Sequence, residues 1–428
     1  MKTRCISLFC FTTILLFSCK EDKDETPPTV SFISPFENQN FDVLDDVRIS
    51  AAVNDNEKLE SIRLSLVRAD NNQTVLTTQT FVPNQRNFNL ETFYNLSDSL
   101  LKGGSYYFKI EVDDGENTFS EFRFITINGL PRQKLGVYVF GNQNGNTSIY
   151  ADQNDFQFSS FLSFSQNFQS GLINSSDQQL WFLPSDDKEL EVYQLKKNEL
   201  VFSESLVGAS NQLYNQITLN ERSIYISTKN GEIQGYNNLF TDNFTYQAAS
   251  GREVDQLAIS EKYLLAEEAS LTGANRTIGV LFKNSAALSV SFQIVHKVVA
   301  MYFTEQEKGI LFQNDEDGGR ISELNIDGTT KRKIISITDS VYSVVQLNFD
   351  VYLIATKSKI MRYELERNNL VDYLFIPNAK MEWDNLNQQL YVANNNELSV
   401  YDSRALSPTL TTTLPFEIEE IFIRYNYD

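Results

Sequence analysis

A short apolar run rich in aromatic residues returns seven times across this 428-residue chain, and no other feature restricts the fold as much. The copies begin at Val137-Tyr138-Val139-Phe140, Leu180-Trp181-Phe182-Leu183, Ile224-Tyr225-Ile226, Tyr263-Leu264-Leu265, Ile310-Leu311-Phe312, Val351-Tyr352-Leu353-Ile354 and Leu390-Tyr391-Val392. They are spaced by roughly 40 to 47 residues, room for four short strands and their turns. Most copies are followed by a polar turn and a second strand: Leu190–Leu195, Glu232–Tyr236, Thr277–Phe282, Arg320–Ile326, Lys359–Leu365 and Glu397–Tyr401. Every copy after the first is also preceded by a candidate strand, at Phe168–Asn174, Tyr214–Leu219, Val254–Ile259, Val298–Phe303, Tyr342–Leu347 and Ala379–Asp384. The first lacks one, because Pro131 and Lys134 stand there, whereas one spare strand remains near the C-terminus at Ile418–Tyr425.

The missing and spare strands complement each other. The reading is therefore a seven-bladed β-propeller over 132–428, closed by the C-terminal strand entering the first blade, which removes an exposed sheet edge. An open solenoid or two stacked sandwiches is the competing architecture, and six or eight blades the neighbouring counts. No stretch keeps a helical period, so the fold class expected is all-β.

Residues 28–129 read as a separate β-sandwich. Pro27-Pro28 ends what precedes, since paired prolines favour extended backbone. Val30-Phe32, Val47-Ile49-Ala51-Val53, Ile62-Leu64-Leu66 and Tyr106-Phe108-Ile110-Val112 alternate as half-buried strands do, with weaker segments at Thr74–Val82, Arg86–Leu96 and Thr118–Ile127. The stretches from Val53 to Ile62 and from Gly104 to Gly115 resemble the B–C and F-strand regions of bacterial immunoglobulin-like or fibronectin-like modules, with Tyr106 at the corner entering strand F. That resemblance implies a fold and a spacer role, and no chemistry.

The N-terminus carries an export signal. Lys2 and Arg4 precede an apolar run from Cys5 to Phe17, interrupted only by Ser7, Thr12 and Thr13, which is too short to remain as a membrane span. Leu16-Phe17-Ser18-Cys19 resembles the lipobox of bacterial lipoproteins, implying removal of residues 1–18 and a diacylglycerol on Cys19. The acidic tether 19–27, with Lys20-Glu21-Asp22-Lys23-Asp24-Glu25, resembles the surface-export signal of Bacteroidota lipoproteins and implies an outer-membrane, lipid-anchored protein on the cell surface.

Composition removes several function classes. The cysteines are Cys5, Cys10 and Cys19, so a mature chain has no thiol for a disulfide or a zinc-thiolate site. Net charge is −20 and becomes −22 when Lys2 and Arg4 leave with the leader, which opposes nucleic acid and acidic lipid head groups. His296 is the single histidine and reads as a strand-end residue. Asn314-Asp315-Glu316-Asp317-Gly318-Gly319 packs oxygen ligands but lacks the spacing and distal glutamate of a calcium loop, so it reads as a hairpin turn, as do Asn325-Ile326-Asp327-Gly328 and Asp113-Asp114-Gly115. Two tryptophans, Trp181 and Trp383, do not meet the one-per-blade pattern of quinone-dependent dehydrogenases, and phosphate-cradling loops are absent.

The expectation carries no catalytic residue, no metal and no cofactor. Leader, tether and repeat together resemble Bacteroidota surface lipoproteins whose propeller captures a nutrient beside a TonB-dependent transporter. This implies a non-enzymatic binding protein for a small molecule or glycan. A propeller-type polysaccharide lyase or hydrolase, needing paired carboxylates that the sequence does not single out, is the alternative. A structural or adhesive scaffold is a third.

Overall fold

A computed structural model describes residues 24–428 apart from 71, 99–100, 144, 153–154, 186–188, 205–213, 272–274, 404 and 428. The expected signal peptide, Cys19 and the tether as far as Lys23 therefore lie outside the described residues. Those described are all-β and propeller-like, with no helix. The chain divides into two compact units, Met1–Leu130 and Pro131–Asp428.

The described residues of the first unit form eight strands: β1 Thr29–Ser34, β2 Gln39–Asp42, β3 Asp46–Asn54, β4 Ser61–Arg68, β5 Thr74–Phe81, β6 Asn87–Asn95, β7 Gly104–Asp113 and β8 Thr118–Asn128. They form two sheets, β1-β3-β6 and β2-β8-β7-β4-β5. The alternating residues predicted to face inward do so: Val47, Ile49, Ala51 and Val53 from one sheet share a core with Ile62, Leu64, Phe108 and Ile110 from the other. Tyr106 is buried at the start of β7, and its hydroxyl donates to the carbonyl of Lys102 at 2.8 Å. Sequence reading missed β2, because Gln39-Asn40-Phe41-Asp42 has no alternation. It is held by parallel pairing with β8 instead of by side-chain burial.

The described residues of the second unit form seven four-stranded sheets. Sheet 1 joins Lys134–Gln143, Asn146–Asp152 and Ser159–Phe164 to the distant Glu417–Tyr425. In sheets 2 to 7 the four strands follow one another in sequence, and each sheet begins with its innermost strand: Phe168–Asn174, Tyr214–Asn220, Arg252–Ile259, Lys297–Phe303, Val341–Gln346 and Lys380–Asp384. Glu417–Tyr425 is the innermost strand of sheet 1. It runs antiparallel to Lys134–Gln143 with Phe422 opposite Tyr138, the partners that the missing and spare strands implied. Each innermost strand packs against the next, and Glu417–Tyr425 packs against those of both sheet 7 and sheet 2, so the contacts run in a cycle.

The repeated apolar runs lie in the second strands of their sheets. Each sheet has neighbours on both faces, so these strands are apolar without alternation, and all of Leu180–Leu183 is buried. Large rings fill the space between sheets, where they remove the most apolar area per residue. Trp181 of sheet 2 meets Tyr236 and Phe240 of sheet 3 at 5.9 Å, and Phe312 of sheet 5 meets Tyr352 of sheet 6 at 5.2 Å.

Side chains tie Glu417–Tyr425 to its neighbours. Asp384, fully buried at the end of the innermost strand of sheet 7, accepts from the Tyr425 hydroxyl at 3.0 Å and from the backbone N–H groups of Leu386 and Asn387 at 3.1 Å, with Lys134 Nζ at 3.5 Å. Arg424 donates to Gln178 Oε1 at 2.7 Å, and Gln178 Nε2 donates back to the Tyr425 carbonyl at 2.7 Å. A buried carboxylate is tolerated only when hydrogen-bonded and paired in this way.

Candidate binding site

The seven innermost strands surround a cavity of about 810 Å³, to which each contributes lining residues. That volume suits a ligand of drug or oligosaccharide size, since such sites usually span about 300–1,000 Å³. A smaller cavity of about 310 Å³ shares Tyr342 and Lys380 with it and adjoins Asn378 and Glu417, at the end where the innermost strands of sheets 1 and 7 begin.

Charge is confined to one wall. Lys380 and Glu382 come from sheet 7, Glu419 and Glu420 from sheet 1, and the other lining residues carry no formal charge. Lys380 Nζ is matched to Glu419 Oε2 at 2.6 Å and also donates to the Ile418 carbonyl at 2.9 Å. With that pair neutral, Glu382 and Glu420 are the remaining ionisable groups of the wall. Opposite them stand neutral hydrogen-bonding groups such as Gln216, Gln256 and Tyr302, the last donating its hydroxyl to the Val344 carbonyl at 2.7 Å.

Both glutamates are held away from their ordinary ionisation. Burial pushes the Glu382 carboxyl up to about 8, helped by the negative charges of Glu420 and Asp384. Burial also pushes Glu420 up to about 8, against the opposing effects of Lys380 and the Gly171 N–H, with Glu419 adding to the rise. Glu420 Oε2 is shielded from solvent and has no hydrogen-bond partner. Sequence reading missed this pair because the two residues lie on strands brought side by side only when the last strand joins sheet 1. Glu419, Glu420, Ile421 and Phe422 all line the cavity and the register slips between Ile418 and Glu420, so simple alternation did not point to Glu420.

The features singled out in the sequence fall elsewhere. His296 lies between the strands Leu288–Ile294 and Lys297–Phe303, half-buried, with its carbonyl accepting from Gln313 Nε2. Burial and then Arg320 keep its imidazole below the usual range. Asp315 pairs with Gly318 across a two-residue hairpin turn, while Asn314 bridges to the backbone of Val341 in sheet 6. The Asn325–Gly328 turn is closed by the Gly328 N–H donating to Asn325 Oδ1 at 3.0 Å.

Asp114 has a role beyond its turn. In the first unit, Asp24, Asp55 and Asp114 bring carboxylate oxygens within 4.8 Å of one another, the single group among the described residues with spacing suited to a cation. Asn117 Nδ2 donates to Asp114 Oδ2 and to the Asp24 carbonyl, and Asn56 Nδ2, next to Asp55, donates to Asp24 Oδ1, so hydrogen bonds link the three segments. The sequence reading assigned no metal site, and these residues, far apart in the chain, offered it no spacing pattern.

No family model matches this sequence, and no curated protein matches it. Among solved structures, the hydrazine synthase of Kuenenia stuttgartiensis aligns over 70% of this chain and 93% of its own, with a TM-score of 0.50 and 8% identity. A computationally designed protein, Ika8, aligns over 68% and 91% at a TM-score of 0.49 and 11% identity. Apo AztD from Citrobacter koseri aligns over 68% and 97% at 0.48 and 8%. At such identities the first likeness concerns fold alone.

Proposed function

We propose that the second unit is a seven-bladed β-propeller closed by its C-terminal strand, and that the first is an immunoglobulin-like module. Seven four-stranded sheets, the cycle of innermost strands and the pairing of Phe422 with Tyr138 support the first statement. Two sheets sharing one core and the Tyr106 hydrogen bond to Lys102 support the second.

The protein is an outer-membrane lipoprotein, anchored through lipid on Cys19 and facing the cell exterior, that binds a small molecule or glycan in the propeller channel. It does so without catalysis, as an accessory of a TonB-dependent transporter. The central cavity with its single charged wall is the observation that carries the binding reading. Incorporation of labelled palmitate that disappears in Cys19→Ala, protease shaving of intact cells, and native mass spectrometry of the purified protein test anchor, exposure and ligand in turn. Failure to recover any channel ligand or transporter partner from detergent-solubilised membranes counts against it.

A second reading, a polysaccharide hydrolase, draws on the carboxyls of Glu382 and Glu420 lining one cavity, since glycoside hydrolysis uses two carboxyls flanking the scissile bond. Turnover on a glycan panel that is lost in Glu382→Gln would establish it in place of simple binding.

A further inference from the structure

We infer that the wall formed by Glu382 and Glu420 is a subsite for an organic cation, a guanidinium or protonated amine that donates N–H groups to both carboxylates. The inference rests on the channel being the binding site and specifies what it accepts.

Three observations lead there. The two carboxylates face one cavity from adjacent innermost strands, and the one cation that lines it among the described residues, Lys380, is already committed to Glu419 at 2.6 Å. Glu420 Oε2 lacks a donor and lies just out of reach of solvent, so a small rotation of the carboxylate toward a ligand N–H would relieve the cost of an unpaired acceptor. The facing wall offers amides and a hydroxyl without charge, which suits the neutral body of a ligand carrying its charge at one end.

A divalent metal fits less well. Calcium takes six to eight oxygens, whereas no third carboxylate joins this pair among the described residues, and Lys380 sits close enough to Glu420 to repel a second cation of high charge density. A guanidinium spreads its charge over a planar fork that matches carboxylate geometry, and it is more weakly hydrated than a metal ion.

The free pair holds protons that a cation must displace. Glu382 is faced by Glu420 from sheet 1, by Asp384 on its own strand, and by Tyr302 and Tyr425, whose hydroxyls its charge also affects. Glu420 is faced by Lys380 from sheet 7 and by Glu419 on its own strand. Cation binding should release a proton from the pair near neutral pH and should tighten as pH rises.

Isothermal titration of the full chain with ethylguanidinium, with ethylurea as its neutral isostere and calcium chloride as the metal control, tests this. Ethylguanidinium keeps its charge throughout, so any pH dependence belongs to the protein. Expected are saturable binding at least about 10-fold tighter at pH 9 than at pH 6, proton release seen as buffer-dependent heat, and no binding of ethylurea. Glu382→Gln and Glu420→Gln should each weaken binding by about 10-fold or more, with their fold checked by tryptophan fluorescence. Binding of calcium in preference, equal binding of ethylurea, binding unchanged in both variants, or none in the wild type each overturns the inference. A neutral or anionic ligand found in the channel would sink it too, while leaving the binding function standing.

Discussion

Replacing Glu382 with glutamine should stabilise the second unit at alkaline pH, by an amount that follows from the channel. Its carboxyl is carried from an ordinary 4.5 to about 8, so the folded chain holds that proton more tightly than the unfolded chain does. The stabilisation is therefore complete below about pH 4.5, declines as pH rises, and is gone above about pH 8. Ionising a single carboxyl against that displacement costs at most about 5 kcal/mol. Channel water screens part of this cost, and the repulsion is shared with Glu420, which leaves about 2–3 kcal/mol attributable to Glu382. The two tryptophans, Trp181 and Trp383, both lie in the second unit, so urea unfolding followed by their fluorescence reports on that unit alone. The wild type should lose stability between about pH 5 and pH 9, and Glu382→Gln should lose about 2–3 kcal/mol less, ending above the wild type at the higher pH. Glu267, also pushed up by burial to about 7, contributes with the same sign in both proteins, so the difference between them carries the test. A variant no more stable than the wild type at the higher pH, or equally stabilised at the lower one, would refute the reasoning.

Ile421, buried opposite Val139, should cost about 2–4 kcal/mol when cut to alanine, and a loss under about 1 kcal/mol in urea would mean that the closing strand packs loosely. Asp384→Ala strips the Tyr425 hydroxyl and Lys134 of a buried acceptor, and the expected loss is about 3–5 kcal/mol by the same assay. Glu267→Gln keeps the acceptor for the Val298 N–H, and Arg276 keeps Asp255 at 2.7 Å, so little change is expected at pH 6 and a gain at pH 9; a loss at both would show that the ionised form stabilises. Tyr106→Phe removes the bond to Lys102 and should lower the stability of the first unit by about 1 kcal/mol, read by hydrogen exchange of β7 amides.

The repeat was legible because burial on both faces forces a strand to be apolar throughout. Val351–Ile354 and Leu180–Leu183 stand out against polar turns for that reason. The innermost strands were legible too, and Phe168–Asn174 was bounded as the structure has it. The outermost strands were not: Thr330–Ile337 and Glu199–Glu204 are largely exposed, so their composition answers to water and to backbone pairing rather than to a core. The same limit hid the carboxylate pair. Glu382 and Glu420 look like any two of the chain's 56 acidic residues, and only the packing of two strands from different sheets makes them neighbours.

Sheet 1 draws on both ends of the second unit, and this bears on how the polypeptide is made. Sheets 2 to 7 consist of sequential hairpins that can form one after another as the chain emerges into the compartment where it folds, whereas Lys134–Gln143 emerges early and must wait for Glu417–Tyr425. Until then its unpaired N–H and C=O groups form an open edge, prone to recruit another chain. A translation product halted before residue 417 would carry that edge permanently, together with a bare apolar face on sheet 7, and is expected to be cleared by proteases rather than accumulate.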